Sequence, residues 1–496
     1  MRTALVALVL VKLGLHAVAA AAYGYFRDEL YYLASTEHLD WGYVEHPPLS
    51  IALLAAWRAI FGDSLHALRA LPALAGAAQM LLTAAFTRRL GGGPFAAILA
   101  ATCVLAAPVY LGTQHVYSMN AFDQLFWIMI AFLLDRALER PTTRRWIALG
   151  IVLGLALLNK LSVVWILAGL GAGLLFTPHR RVLGTRGPWI VAGIGVACIL
   201  PHVIWQMRTG WPLFEFMQNA ARNKMVRANP IAFLGNQVLE MLPFTAPIWI
   251  AGLVACLRRP EWRHWGIAYL LVLAILLARG TSRASYLVPA YPMLLAPGAI
   301  VVARFVRWRP LRVGMIVVIL AGMFALMPFA LPLWPPETFA RYAKTLGIEP
   351  QTEERAAVGI LPQHYADQFG WKELAETVAR VYHALPPEER ASCVIFGQNY
   401  GEAGAIDVLG RKLGLPPAIS SHNSYWLWGP GDKPPDVVIV IGGDRDDNAE
   451  VFESLEEAAV HECHYCRPFE SGLTIYVGRK MRLPISELWP QLKRYI

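Results

Sequence analysis

Three acidic positions and one diproline turn hold most of the chemistry that this sequence could perform. Arg27-Asp28-Glu29 stands where the first long apolar run ends, and charges at that depth are costly unless they are paired or open to a water-filled cavity. A carboxylate pair held near an interface can be tuned to take the proton of an incoming hydroxyl; a solvated charge cluster beside a membrane has the same composition. Glu45-His46-Pro47-Pro48 follows, with the two prolines setting the direction of the side chains before them. His46 could donate to a phosphate and Glu45 could orient it or hold a metal, or the four residues could form an ordinary turn. Asp123, in Ser118-Met119-Asn120-Ala121-Phe122-Asp123, sits near the outer end of another apolar run with His115 and Asn120 as neighbours. It reads as a site carboxylate or as a helix N-terminal charge favoured by the dipole.

Cations complete the set. Lys160, after Asn159, and Arg279, Arg283 and Tyr286 fall in short connections on the side opposite most of the basic residues. A departing phosphate needs cations or donors more than it needs a proton, and the planar fork of arginine can bind two phosphate oxygens. Contact with ordinary anionic lipid is the alternative use of the same residues.

The elements that must position these groups are membrane spans. The 496 residues are 56% hydrophobic and 16% charged, with mean hydropathy +0.43, outside the range of ordinary soluble domains. Eleven apolar segments are read as spans: 3–22, 66–88, 94–112, 119–137, 144–159, 161–177, 187–206, 241–258, 264–280, 285–303 and 312–333. Basic residues recur at every second connection, among them Arg88, Arg140, Arg180, Arg258 and Arg307, which makes those connections cytoplasmic by the positive-inside rule. The net charge of +9 is thereby explained without nucleic acid, for which no aromatic-interleaved basic stretch exists. The first span resembles a secretory signal as well, yet the loop after it needs a tether, so a retained helix is expected.

Two outer connections are long, 23–65 and 207–240, and long connections are usually functional or disordered. The first carries apolar residues at helical spacing on either side of Pro47-Pro48, as interfacial helices would. From Pro335 the composition turns soluble. Residues 392–396, 437–441 and 474–477 read as strands alternating with helical patterns, giving a small α/β unit with a largely parallel sheet over 335–496. Gly401-Glu402-Ala403-Gly404 lacks the features of a nucleotide loop. Cys463 and Cys466 could be thiols, a small disulfide or, with His461 and His464, metal ligands.

These residues together resemble the GT-C membrane glycosyltransferases, in particular the bacterial branch related to protein O-mannosyltransferases and to the aminoarabinose transferase of lipid A. The resemblance rests on Asp28-Glu29 with Tyr31-Tyr32, on Tyr43-Val44-Glu45-His46-Pro47-Pro48-Leu49, on Asp123, on Trp205-Gln206 with Gly210-Trp211-Pro212, and on Tyr286-Leu287-Val288-Pro289-Ala290-Tyr291-Pro292. Asn399-Tyr400-Gly401-Glu402-Ala403-Gly404 and Ser424-Tyr425-Trp426-Leu427-Trp428-Gly429-Pro430 extend it to the C-terminal part. It implies a polytopic α-helical protein of the inner membrane, its C-terminal domain extracytoplasmic, that moves a sugar with inversion from a polyprenyl phosphate to a cell-envelope acceptor.

The resemblance further implies Asp28 as base or acceptor-orienting carboxylate, Glu29 as its companion and Asp123 as a second acidic site residue. Arg27, Tyr31, Tyr32, Glu45, His46, Lys160, Arg279, Arg283 and Tyr286 are then the expected substrate contacts. A divalent metal is an open cofactor, with Glu45, His46 and Asp123 as its candidate ligands. The aminoarabinose enzymes have a lysine before the diproline where this chain has His46, which leaves the phosphate contact open between His46 and Lys160, Arg279 or Arg283. A lipid-linked sugar transporter is the competing expectation, and it requires polar residues along a route to both faces.

Overall fold

A computed structural model describes all residues except 228, 351, 353, 432 and 433. A helix occupies each of the eleven segments read as spans. Among the described residues four helices are long and apolar enough to cross a membrane: α1 (Arg2–Ala19), Leu65–Arg89, Arg186–Arg208 and Arg309–Phe329. The number rises to seven if each of three bent pairs counts as one span. The sequence count of eleven therefore exceeds what length and composition support. The difference lies in short or polar helices such as Thr143–Asn159, of 17 residues, and Met119–Glu139, which carries Asp123, Asp135, Arg136 and Glu139.

Between α1 and the next long helix the chain forms α2 (Arg27–Ser35) and α3 (Leu49–Phe61), then α4 (Leu65–Arg89) and α5 (Pro94–Ala106). Both loop helices fall where the apolar spacing places them. Pro48 is the N-cap of α3, so the diproline starts a helix, a position where a missing N–H is harmless. α1 lays Lys12, His16 and Ala19 against α4 and α5, and the alanine-rich α5 is almost wholly enclosed.

Small residues set the closest helix crossing. A Cβ added at Gly252 would lie 1.9 Å from the Leu294 carbonyl oxygen, and one at Gly298 2.0 Å from that of Ile248. The helices Ala246–Arg258 and Pro292–Phe305 thus meet backbone to backbone, which only glycine permits.

The C-terminal part carries a five-stranded sheet in the order β2-β1-β3-β5-β4, with β1 Cys393–Gly397, β2 Ala418–Ser420, β3 Val437–Ile441, β4 Phe452–His461 and β5 Leu473–Met481. β1, β2 and β3 are parallel, whereas β5 pairs antiparallel with both β3 and β4. The expectation of a largely parallel sheet is corrected to a mixed one. β4 escaped the sequence reading because its Glu-Ser-Leu-Glu-Glu-Ala-Ala stretch has helical composition; it is an exposed edge strand, where charges are tolerated and discourage further pairing. Cys463 and Cys466 follow β4 as free thiols in mutual contact, the Cys466 amide donating to Cys463 Sγ at 3.2 Å.

α2 belongs structurally to both parts. Its Leu30, Tyr31 and Ala34 enter one core with Trp371, Tyr400 and Tyr425. Gly401 and Gly404 explain the approach: a Cβ at Gly401 would sit 2.6 Å from Arg27 Cγ, and one at Gly404 3.1 Å from Leu30. The helix Tyr400–Val408 rests on α2 across these two glycines, which is why the segment has the look of a glycine loop without being one.

Gly298→Val should lower the melting temperature of the purified protein sharply. Overpacking alone costs roughly 1–3 kcal/mol, and here backbone must move as well. A melting curve matching wild type would refute the crossing.

Candidate active site

The site begins from a buried ion pair. Glu29, at the third position of α2, is fully buried, and its Oε2 accepts from the Phe26 amide at 2.9 Å, closing the start of the helix. Arg69, in the first turn of α4, presents a two-pronged contact to the same carboxylate, Nε to Oε1 at 3.1 Å and Nη2 to Oε2 at 2.8 Å. The Tyr117 amide donates to Oε1 at 2.8 Å, and the remaining Arg69 donors reach the carbonyls of Ala20 and Gly24. Glu29 was expected as the catalytic companion of Asp28. Its lone pairs are instead taken up by structure, and it serves as the anchor of the helix.

One residue earlier, Asp28 faces outward. Its side chain is 39% exposed, whereas that of Glu29 is 0%, so of the adjacent pair only Asp28 can meet a substrate. The Tyr400 hydroxyl donates to Asp28 Oδ1 at 2.8 Å. Asn399 caps that helix, accepting from the Gly401 and Glu402 amides, and its own amide nitrogen is held by Glu402 and Glu470. The C-terminal part therefore positions the carboxylate of the first loop.

Cations surround it. Arg27 lies 3.9 Å from each of Asp28, Glu354 and Asp367, with its guanidinium 5.3 Å over the Tyr400 ring. Glu354 also receives Lys224 at 3.6 Å, Arg283 at 3.3 Å and Arg467 at 2.8 Å. Burial alone would raise the Glu354 carboxyl, but Lys224, Arg27 and Arg467 outweigh it and hold the group well below the usual carboxylate range. Glu354, Asp367, Lys224, Arg467 and Tyr400 were missed as site residues, because loop charges carry no signal until the chain is folded. Arg69 left a signal that was passed over: an arginine inside an apolar run.

The diproline turn supplies a second wall. Glu45 Oε2 accepts from the Tyr31 hydroxyl at 3.1 Å and Oε1 from Asn423 at 3.2 Å. Burial raises the Glu45 carboxyl to about 7, against the opposing effect of the Tyr31 hydrogen bond. His46 lies among the rings of Tyr32 and Tyr43 with Nδ1 3.1 Å from the Pro47 carbonyl oxygen. That contact requires the hydrogen on Nδ1, and burial lowers the ring to about 4. His46 thus has Nδ1 committed to the Pro47 carbonyl oxygen and Nε2 buried without a partner, an arrangement that favours the neutral ring over a phosphate-binding cation. Tyr32 stacks on it at 5.0 Å.

Asp123 stands apart. It is buried and accepts from Trp127 Nε1 at 3.0 Å and from the Ser162 hydroxyl at 2.9 Å, with Lys160 Nζ 3.7 Å away. Lys160 also donates to Asn120 Oδ1 at 2.7 Å and lies 5.2 Å over the Tyr286 ring. Tyr286 approaches Trp165, and Arg279 covers the Trp165 ring at 5.7 Å. Lys160, Tyr286, Trp165 and Arg279 thus form one cationic and aromatic strip, while Arg283 joins the Glu354 cluster. Among the described residues no three His, Cys, Asp or Glu side chains are grouped to hold a metal ion. Glu45, His46 and Asp123 in particular keep separate partners, so they do not form the metal set considered for them.

An outward carboxylate on α2 is set over a bundle of apolar helices. The fold is that of the GT-C membrane glycosyltransferases: ArnT from Cupriavidus metallidurans, in its undecaprenyl phosphate-bound crystal structure, matches with TM-score 0.61 over 95% of this chain and 97% of that one at 15% identity. Residues 45–205 match the family described as dolichyl-phosphate-mannose-protein mannosyltransferase. In sequence the chain is 26% identical over 186 residues to the lipid A galacturonosyltransferase RgtD of Rhizobium johnstonii, covering 37% of this chain and 39% of that protein. It is 27% identical over 173 residues to an undecaprenyl phosphate-alpha-4-amino-4-deoxy-L-arabinose arabinosyl transferase of Pseudomonas fluorescens, covering 34% and 25%. The chain thus aligns with less than half the length of these curated relatives, and it resembles the GT-C enzymes in fold along nearly all of its own.

Two outcomes test the site as built. Arg69→Met leaves Glu29 buried and unpaired, which costs about 3–5 kcal/mol, so this variant should be recovered unfolded or with a strongly lowered melting temperature; wild-type stability would remove the pair from its anchoring role. For Glu45, a folded-state pKa raised from 4.5 to about 7 means that the unfolded chain loses its proton first, so stability falls as pH rises through that window and levels off above it. Glu45→Gln should abolish that fall in melting temperature, and an unchanged pH profile would contradict it.

Proposed function

We propose that the protein is an inverting glycosyltransferase that moves a sugar from a polyprenyl phosphate to a hydroxyl or phosphate of a cell-envelope acceptor on the outer face of the membrane, a hydroxyl being the case that needs a base. The observation carrying this reading is the exposed Asp28 carboxylate, fixed by Tyr400 and bordered by cations that a phosphate-bearing donor would need. Its oxygen draws the proton from the acceptor hydroxyl as that oxygen bonds to the anomeric carbon. The bond from that carbon to the phosphate oxygen breaks, and the carrier phosphate leaves with one more negative charge. Lys160 and Arg279, with Tyr286 between them, are proposed to steady that charge, joined by Arg283 and Arg27 of the Glu354 cluster. Tyr31, Tyr32, Glu45 and His46 wall the site through their mutual contacts. Asp123, paired with Lys160, acts by holding that cation in place.

The topology proposed is eleven spans with the N-terminus inside, a membrane unit of residues 1–334 with its first outer loop at 23–65, and an outer C-terminal unit of 335–496. The basic loops support it by the positive-inside rule, as do relatives named for undecaprenyl phosphate donors and for lipid A. The acceptor is a glycolipid, a glycan or a protein of the envelope. One observation favours a transporter instead: Lys12, Gln79 and Gln114 are polar groups within the bundle, and Gln114 donates to Gln79 at 2.5 Å. All three are fully buried, which argues against a solvated route.

Purified protein incubated with radiolabelled undecaprenyl-phosphate sugars and an envelope extract should release undecaprenyl phosphate and label the acceptor. Asp28→Asn should lower this at least ~100-fold, the scale of losing a general base, with the melting temperature kept. Tyr400→Phe should lower it about tenfold, the scale of one lost charge-assisted hydrogen bond of ~1.4 kcal/mol. Full activity in Asp28→Asn would reject the assignment of the base, and label crossing the membrane without transfer would favour the transporter.

A further inference from the structure

A second cavity, of about 380 Å³, lies between the first outer loop and the C-terminal part. It is walled on one side by Leu33, Ala34 and Arg58 and on the other by Asp407, Tyr425 and Trp428. Leu33 and Ala34 come five and six residues after Asp28, which at 3.6 residues per turn puts them on the side of α2 turned away from it. The cavity is therefore separate from the site above, although both use the same helix.

Its polar groups are held rather than loose. Arg58 is forked onto Asp63, Nε to Oδ1 at 2.5 Å and Nη2 to Oδ2 at 3.2 Å, and reaches Glu37 at 3.2 Å. Asp407 Oδ2 accepts from the Tyr425 hydroxyl at 2.6 Å. Arg411 and Lys412 stand exposed at the rim. Flat faces accompany them: the His38 ring stacks on Trp428 at 4.2 Å and 11°, and Tyr25 is fixed by its hydroxyl to the Asp63 carbonyl at 2.8 Å.

The charges decide between ligand classes. Among the described residues Arg58, Arg411 and Lys412 are matched by Glu37, Asp63 and Asp407, so the described lining has no surplus of either sign. A phosphate or polyanion would want excess cations, and a lipid chain would not tolerate so many ions. Preset donors and acceptors side by side, with aromatic surface between them, suit a ligand whose every group both donates and accepts: a neutral saccharide. The volume is within the range of small-ligand pockets and admits a disaccharide.

We propose that this cavity is a saccharide-binding subsite that holds a neutral sugar segment of the acceptor glycan, away from the reacting hydroxyl. The assignment of that segment to an acceptor rests on the glycosyltransferase reading; the binding of sugar does not. Saturation-transfer NMR on the full-length protein in lipid nanodiscs, with maltose, lactose, mannobiose and chitobiose as probes, tests it. At least one probe should bind saturably. Trp428→Ala should weaken it about tenfold or more, Val408→Trp, which fills the cavity, should abolish it, and Asp28→Asn should leave it intact. If Trp428→Ala fails to fold by its melting curve, Val408→Trp decides alone. Binding by none of the four probes, or binding that survives the filled cavity, overturns the subsite. Sugar binding in wild type without any sugar transfer would leave the subsite standing and fault the transferase reading alone.

Discussion

Everything outside the bundle depends on one buried ion pair, Glu29 with Arg69. A carboxylate with no exposure and an arginine at the head of a membrane helix would each be prohibitive alone. Together, with the amides of Phe26 and Tyr117 and the carbonyls of Ala20 and Gly24, their hydrogen-bonding capacity is met. The pair fixes where α2 starts and which way it is turned. Because neighbouring residues on a helix point about 100° apart, locking Glu29 inward obliges Asp28 to look outward. The adjacent acids are thus not a catalytic pair; one is spent on geometry so that the other can be presented.

The second consequence concerns the C-terminal part, which composition alone marks as an accessory. α2 contributes Leu30, Tyr31 and Ala34 to its core, and Gly401 and Gly404 let the two helices touch. Through that contact Tyr400 reaches Asp28, while Asp367 and Arg467 close around Arg27. The polar groups about Asp28 are therefore shared between segments more than 300 residues apart, and neither part presents them complete. Such sharing ties the folding of the C-terminal part to the geometry of the site.

Much of this was legible in the sequence, and the divisions follow physical lines. Hydropathy and basic loops placed a helix at every expected segment, since apolar length is written locally. Length and composition alone single out fewer of these helices as spans, because short helices and those carrying acids, such as Met119–Glu139, are enclosed by neighbours and carry less apolar surface of their own. Asp28, Arg27 and Tyr31 drew attention in the sequence because charged and aromatic residues at the end of a span are conspicuous, and the structure places Asp28 and Arg27 side by side. Glu354, Asp367 and Tyr400 did not, because their relevance arises only from contacts across the whole chain. β4 failed for another reason: its exposed edge position tolerates Glu and Ala, so helical propensity was a poor guide to a strand held mainly by β5.

Charged side chains from distant segments also meet around the first loop. His46 has Nδ1 on the Pro47 carbonyl oxygen and Nε2 buried, so the charged groups near Asp28 come from other segments. Lys160 is partly committed to Asp123, and Arg279 rests on the Trp165 ring, a contact that leaves its guanidinium edges available. Arg27, Lys224, Arg283 and Arg467 share the single carboxylate of Glu354. Arg27 also borders Asp28 and Asp367, and Arg467 borders Asp367, so these cations are interleaved with three carboxylates.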